Sequence, residues 1–409
     1  MTRLVSTTRL VDGRGLAAGG GFTWWHEGAG FAASGVAARV RTGTGPDRLA
    51  KAAAEVAAVL DGIEGEDPLG LPGTGPIAVG AVPFLDSAEG ELIVPALVVG
   101  RTEDGRAWVT EVSPAEPGGP GGPGGPGAAA AIRGPEPTSF VVESDGGRLA
   151  WTGAVGRALA RIAAGEFDKV VLARRVAVWG DQPFHLPAVV DRLRRSHPSC
   201  FTFACAGFVG ASPELLLRRR GRWAWSRPMA GTVERGGSRA EDKRLVSELR
   251  ASPKERDEHR LVVEDVQARL EAVCAEVFVR GPEPIGLSSV THLATTVTGR
   301  LEGAAPPSAL ELAGALHPTP AVGGEPREAA LRAIAELEGF ERGHYAGPVG
   351  WVDRRGDGDW AVALRCAALD GRRAVLTAGA GIVAGSDPEA EWTETQAKLE
   401  PMLRALVRV

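Results

Sequence analysis

Strand-like runs dominate this chain, and most follow one another across turn signals while the helical stretches collect in blocks. Phe22 to Glu27 and Gly30 to Val40 read as strands, and Asp47 to Leu60 as an amphipathic helix. Ile77 to Leu85 and Glu91 to Val99 form a predicted hairpin. Further strands are expected at Lys169 to Val176, Cys200 to Phe208, Leu215 to Arg219, Gly347 to Val352, Trp360 to Ala368 and Ala374 to Ile382, with Gly356-Asp-Gly-Asp359 turning a hairpin. Helices are expected over Arg157 to Ala164, Pro253 to Val277, Pro326 to Glu338 and Pro388 to Val407. Strands and helices do not alternate one for one, which argues against a doubly wound parallel sheet. The pattern predicts an α+β layered sandwich.

One stretch cannot join a packed core. Ser113 to Gly127 repeats Gly-Gly-Pro and is followed by four alanines. Residues 113–137 are therefore expected to form a solvated loop between a strand-rich part, 1–112, and a catalytic region, 138–409, of one large domain. A net charge of -5 leaves no basic footprint, so nucleic acid is an unexpected partner. No apolar run is long enough to span a bilayer, and no signal-peptide core is apparent. Cys200, Cys205, Cys274 and Cys366 lack zinc spacing and read as reduced core residues, implying a cytoplasmic protein.

Two distant acidic segments carry the strongest chemical signal. Ser252-Pro-Lys-Glu255-Arg-Asp-Glu258-His259 and Ser386-Asp-Pro-Glu-Ala-Glu391-Trp-Thr-Glu394 each open a helix with two carboxylates three residues apart on one face. Four carboxylates brought together would need a hard cation such as Mg²⁺. Each also has a purely local reading: Ser252 to Glu255 is a capping box, and Glu394 with Lys398 is a surface i,i+4 pair. Lys169, starting an apolar strand, either snorkels to solvent or, if desolvated, acts as a base. Glu214 is either an exposed turn residue or a buried proton donor. Arg365, amid apolar strand residues, either points outward or grips a buried anion. The Gly-bearing turns at Gly231-Thr232 and Gly379-Ala-Gly381 could bring backbone N–H groups to an anion. Tyr345 is the only tyrosine.

Taken in order, these segments resemble the chorismate-utilising enzymes. The resemblance runs through Lys169-Val-Val-Leu-Ala-Arg174, Ala211-Ser-Pro-Glu-Leu-Leu216, Pro228-Met-Ala-Gly-Thr232, Glu258-His259, His292-Leu-Ala-Thr, Leu316-His-Pro-Thr-Pro-Ala321, Tyr345-Ala-Gly, Ala378-Gly-Ala-Gly-Ile-Val383 and Glu391-x-x-Glu394-x-x-x-Lys398. It implies one large domain with two packed, mostly antiparallel sheets between helical layers, as in anthranilate synthase component I. It also implies a Mg²⁺ site made by Glu258 and Glu394, supported by Glu255 and Glu391. Lys169 would be the general base toward water and Glu214 the general acid toward the departing hydroxyl. Arg365, Tyr345, Gly379 and Gly381 would clamp the enolpyruvyl carboxylate of chorismate. Gly231, Thr232 and Lys398 would assist the ring carboxylate, with His292 lining the site.

Within the family, ammonia-using members usually carry glutamine at the position of Lys169, and aminodeoxychorismate formers often carry lysine where Ala230 stands. Ala321 with Tyr345 points to isochorismate formation rather than salicylate formation. No glutaminase partner is expected, and a monomer is the family-level expectation.

Overall fold

The computed structural model describes residues 3–11, 21–115, 134–287 and 289–407. Most of the Gly/Pro-rich stretch, 116–133, lies outside the described residues, and the strand Ala107–Pro114 runs into its start. The described strands form a thirteen-stranded and a ten-stranded sheet. Every pairing among them is antiparallel except Leu4–Val11 against Ile63–Glu64. The α+β architecture with two mostly antiparallel sheets is as expected.

Three predicted strands are each two strands, because the chain changes sheet part-way. Gly30 to Val40 divides into Ala29–Ser34 in the larger sheet and Ala38–Arg41 in the smaller. Glu91 to Val99 breaks at Pro95 into Glu91–Val94 and Leu97–Arg101. Proline has no N–H to give a ladder, so a strand ends there readily. Trp360 to Ala368 divides into Gly358–Val362 in the smaller sheet and Cys366–Asp370 in the larger. Arg365 is therefore not inside a strand. It occupies the corner between them, with φ of 50°, a left-handed conformation uncommon for a side-chain-bearing residue.

The helix expected over Pro253 to Val277 stops at Glu271, and Cys274–Gly286 is a strand. Its β-branched and aromatic run, Val277-Phe278-Val279, outweighs helical continuation. That strand pairs with Val290–Leu301, which also pairs with Trp223–Arg227 and Met229–Glu234.

Alternating side chains of the larger sheet serve two cores. Phe201 and Phe203 join a large core that includes Ile77, Val79 and Trp360 of the smaller sheet. Ala204, one residue on, joins a second core with Val189, Leu193, Leu399 and Met402 of the helices Leu186–Ser196 and Pro388–Leu406. Trp360 and Phe203 are fully buried, each contributing about 2–3 kcal/mol. Phe31 meets Trp351 edge to face at 6.2 Å, across the two sheets.

A buried polar knot fixes the strand Lys169–Gly180. Glu338 accepts the Ala173 N–H at 2.7 Å and pairs with Arg342, which donates to the carbonyls of Val171 and Val322, both at 2.7 Å. A buried pair is retained where its remaining donors and acceptors are satisfied. This one anchors the strand two residues from Lys169.

Candidate active site

The chain passes from the larger sheet to the smaller at Pro213-Glu214, between Phe208–Ser212 and Leu215–Arg220. It returns at Leu364-Arg365. Both corners line one cavity of about 50 Å³, together with Val171, Gly231, Thr232, Glu258, His292, Ala321, Tyr345, Gly379, Gly381 and Lys398. Lys169 stands just behind that wall, and ten of the fourteen expected site residues line it directly. A larger cavity, about 470 Å³, lies at Trp24, Trp108 and Trp351, away from these groups; its Arg218 and Arg220 are both held by Asp359.

Glu214 is a buried carboxyl, not an exposed turn residue. Burial pushes its pKa up to about 7, against the opposing pull of Lys169. Lys169 does not snorkel to solvent: it is fully buried, with Nζ 3.0 Å from Glu258 Oε1. That contact lacks the angle of a good hydrogen bond, leaving the ammonium without a well-formed acceptor. Burial tends to raise the Glu258 carboxyl, but Lys169, Lys398 and Lys254 together hold it below the usual range.

Local sequence places the other carboxylates. Ser252 caps the helix Pro253–Glu271 by accepting the Glu255 N–H at 3.4 Å. The Glu255 carboxylate does not close a capping box; it accepts the Thr232 N–H at 2.8 Å across the cavity mouth. Asp387 caps the helix Pro388–Leu406 through the Glu389 and Ala390 N–H groups. Glu394 does pair with Lys398 at 2.5 Å, but both side chains are largely buried in the site rather than on the surface.

The four carboxylates sit close enough to repel. Burial, then Glu258, raises the Glu255 carboxyl; burial, then Glu394, raises that of Glu391. They do not point at a common centre, however. Among the described residues, no group of three or more His, Cys, Asp or Glu side chains is gathered to hold a metal ion as it stands. Lysines take up the charge instead: Lys169 on Glu258, Lys398 on Glu394, and Lys254 on Glu391 at 2.9 Å. Lys254 escapes a reading that looks only for carboxylates, though it stands beside Glu255 in the same acidic segment. The charge excess that suggested an ion is present, and three lysines offset part of it.

On the opposite wall, Arg365 Nη2 donates to His292 Nε2 at 3.1 Å, and His292 Nδ1 lies 3.0 Å from Thr232 Oγ1. Burial, then Arg365 and Lys398, lowers the His292 pKa well below its usual value, so the ring is neutral. Arginine can only donate, so Nε2 accepts and Nδ1 carries the proton toward Thr232. The guanidinium is thereby aimed from a buried corner. His292 is a link in this chain rather than a passive wall. Tyr345 is buried, which raises its phenol and keeps it a donor.

The glycines are required by close approach. A Cβ on Gly379 would stand 3.1 Å from the Tyr345 hydroxyl, and one on Gly231, where φ is 76°, 3.3 Å from Glu255 Oε2. A Cβ on Gly381 would overlap Glu258 Oε1 and lie 3.1 Å from Lys169 Cε. Gly381→Ala is expected to displace the Lys169–Glu258 pair and lower turnover by about 10²-fold or more. Steady-state kinetics, with circular dichroism confirming an intact fold, would check this; near-normal turnover would contradict the placement.

These residues lie within a segment, 131–407, that matches the family model described as chorismate binding enzyme. The chain belongs to this family. A putative isochorismate synthase MenF of Mycobacterium tuberculosis is 39% identical over 350 residues, covering 82% of this chain and 87% of that protein. The isochorismate synthase EntC of Escherichia coli is 41% identical over 334 residues, 80% of each. Among solved structures, the menaquinone-specific isochorismate synthase MenF of Escherichia coli superposes with a TM-score of 0.80 at 27% identity, covering 100% of this chain and 95% of that one. The family segment begins at 131, yet residues before it build both sheets: Phe22–His26 pairs with Phe201–Cys205, and Ile77–Ala81 with Pro348–Asp353.

Proposed function

We propose that this chain is an isochorismate synthase, an isomerase that converts chorismate to isochorismate by adding water at one ring carbon and expelling the hydroxyl from another. The observation that carries the reading is the pairing of Glu214, buried and held up to about 7, with Lys169, fully buried behind Glu258, around a cavity that also contains Arg365. A carboxyl near 7 is about half protonated at neutral pH and can deliver that proton to a departing hydroxyl. A buried lysine can take a proton from attacking water only as the neutral amine, so Lys169 must first give up its own proton and its pairing with Glu258. Arg365, aimed by His292, suits the planar enolpyruvyl carboxylate of chorismate. Lysine at 169 and alanine at 230 favour water over ammonia or a covalent nucleophile, and Ala321 beside Tyr345 in the cavity wall favours release before pyruvate is lost.

Mg²⁺ is part of this proposal. The donor set is all carboxylate oxygen, which suits a hard divalent cation; burial first, then Glu258 for Glu255 and Glu394 for Glu391, raises these carboxyls, and the second contribution is charge that such an ion would relieve. Glu258 and Glu394 would hold it, with Glu255 and Glu391 in support. When bound it would neutralise the acidic wall and receive the ring carboxylate of the dianionic substrate. The protein's own residues then orient the ring between Lys169 and Glu214.

Incubation with chorismate and Mg²⁺, followed by chromatographic separation, tests this. Isochorismate alone is the expected product. Salicylate with pyruvate would favour the alternative, a salicylate synthase, and a product that requires ammonium would overturn the Lys169 argument.

A further inference from the structure

The strand Cys274–Gly286 pairs with His292 at its end, through Ile285, but its first half is unusually bare. It pairs with Val290–Leu301 on one side, and among the described residues no strand pairs with its other edge. Phe278 is 54% exposed and Val279 44%. An open edge carrying apolar side chains is a template for another strand, and proteins ordinarily blunt it with like charges or proline. Here the prolines, Pro282 and Pro284, limit pairing only beyond Gly281.

The charges before it are arranged differently. Glu276-Val277-Phe278-Val279-Arg280 reads as a mirror about Phe278, apolar at its centre and opposite in sign at its ends. In an antiparallel pair of identical strands with a two-fold axis at Phe278, Glu276 faces Arg280 of the second copy and Arg280 faces its Glu276. Phe278 meets Phe278 on the same sheet face, and Val277 meets Val279 on the other. Directly opposed aromatic and opposite-charge pairs are those that stabilise a ladder. A one-residue slip would separate the charges and send Phe278 against a neighbour on the other face. Both charged groups have only exposed partners within the chain: Glu276 with Arg300 at 3.0 Å, and Arg280 with Glu283 at 3.7 Å. Such pairs cost little to exchange.

We propose that a second copy of this chain docks on this edge, joining the two smaller sheets through the 275–281 segments in a symmetric dimer. This departs from the monomer that the family resemblance implies, and it does not depend on the proposed reaction. A single augmented strand pair buries less than a standard interface, so dissociation is expected in the range of about 1–100 µM.

Sedimentation equilibrium of the full chain over that range is the test, with charge exchange as its discriminating arm. Glu276→Arg sets like charges against each other and is expected to weaken the dimer by about 10-fold or more. Glu276→Arg combined with Arg280→Glu restores opposite charges across the axis, and is expected to recover affinity to within about 3-fold even though the Arg300 pair stays broken. Phe278→Glu, at an exposed position, is expected to leave the circular dichroism spectrum intact and the protein monomeric. A monomer throughout the range would overturn the proposal. So would a dimer that survives Phe278→Glu, or a double exchange no tighter than the single one.

Discussion

Lys169→Ala is expected to lower chorismate turnover by about 10²–10⁴-fold, the ordinary contribution of a positioned proton acceptor. The side chain is fully buried and meets Glu258 at 3.0 Å, beside Gly381. Removing it does two things. It deletes the proposed base, and it strips the nearest cation from a carboxylate that Lys398 and Lys254 hold only in part. Breaking one half of a buried pair costs about 3–5 kcal/mol, so thermal unfolding is expected to shift downward as well. The two effects separate by measurement. Binding of a non-reacting chorismate analogue is expected to stay within about 10-fold, because the proposed carboxylate grips, Arg365 and Lys398, are other residues of the cavity wall. Turnover near the wild-type rate would show that Lys169 is structural only.

Glu214→Gln is expected to match that loss in kcat, about 10²–10⁴-fold, while making the protein more stable at alkaline pH. The sign follows from the direction of the shift. Burial raises the carboxyl from 4.5 to about 7, so the folded protein favours the protonated form. The associated stability is fully present below the unfolded value, and it is lost as pH rises through about 7. At pH 8 the wild type carries a buried charge costing about 3 kcal/mol that glutamine does not carry. Denaturant unfolding at pH 5 and pH 8 would show the variant near parity at the lower pH and more stable at the higher. The same group would shape activity: kcat/KM of the wild type is expected to fall above about pH 7, where the proposed proton donor ionises in the free enzyme. A variant that is inactive and also less stable at pH 8 would instead mark Glu214 as a packing residue.

The acidic helix starts were legible because capping and i,i+3 spacing are local. Ser252 and Asp387 cap as their sequences predict, and the carboxylates fall on one face of each helix. What those carboxylates meet was not legible. Spacing did offer Lys398 to Glu394, though as a surface pair; Lys254 reaches Glu391 from another helix and Thr232 reaches Glu255 from a distant strand, and those partners depend on packing that spacing does not encode. Glu214 and Arg365 show the same division. Ser-Pro-Glu before an apolar run marks a turn, and an arginine in an apolar run looks like strand interior. Both are instead the corners where the chain changes sheet. Periodicity is continuous through such a corner, since each half-strand is buried on its own sheet, and only the φ of Arg365 breaks the pattern.

The sequence by itself determined the class of fold, the order of the motifs and the chemical types available: carboxylates, buried-capable cations and small glycines where groups must approach closely. Tertiary structure alone decided which of these share a cavity and in what state. Glu214 holds its proton because two sheets close over it, Lys169 is buried because a neighbouring strand covers it, and His292 has a single tautomer because Arg365 can only donate. Desolvation is a property of everything packed around a group, and residues that pack together here come from every third of the chain.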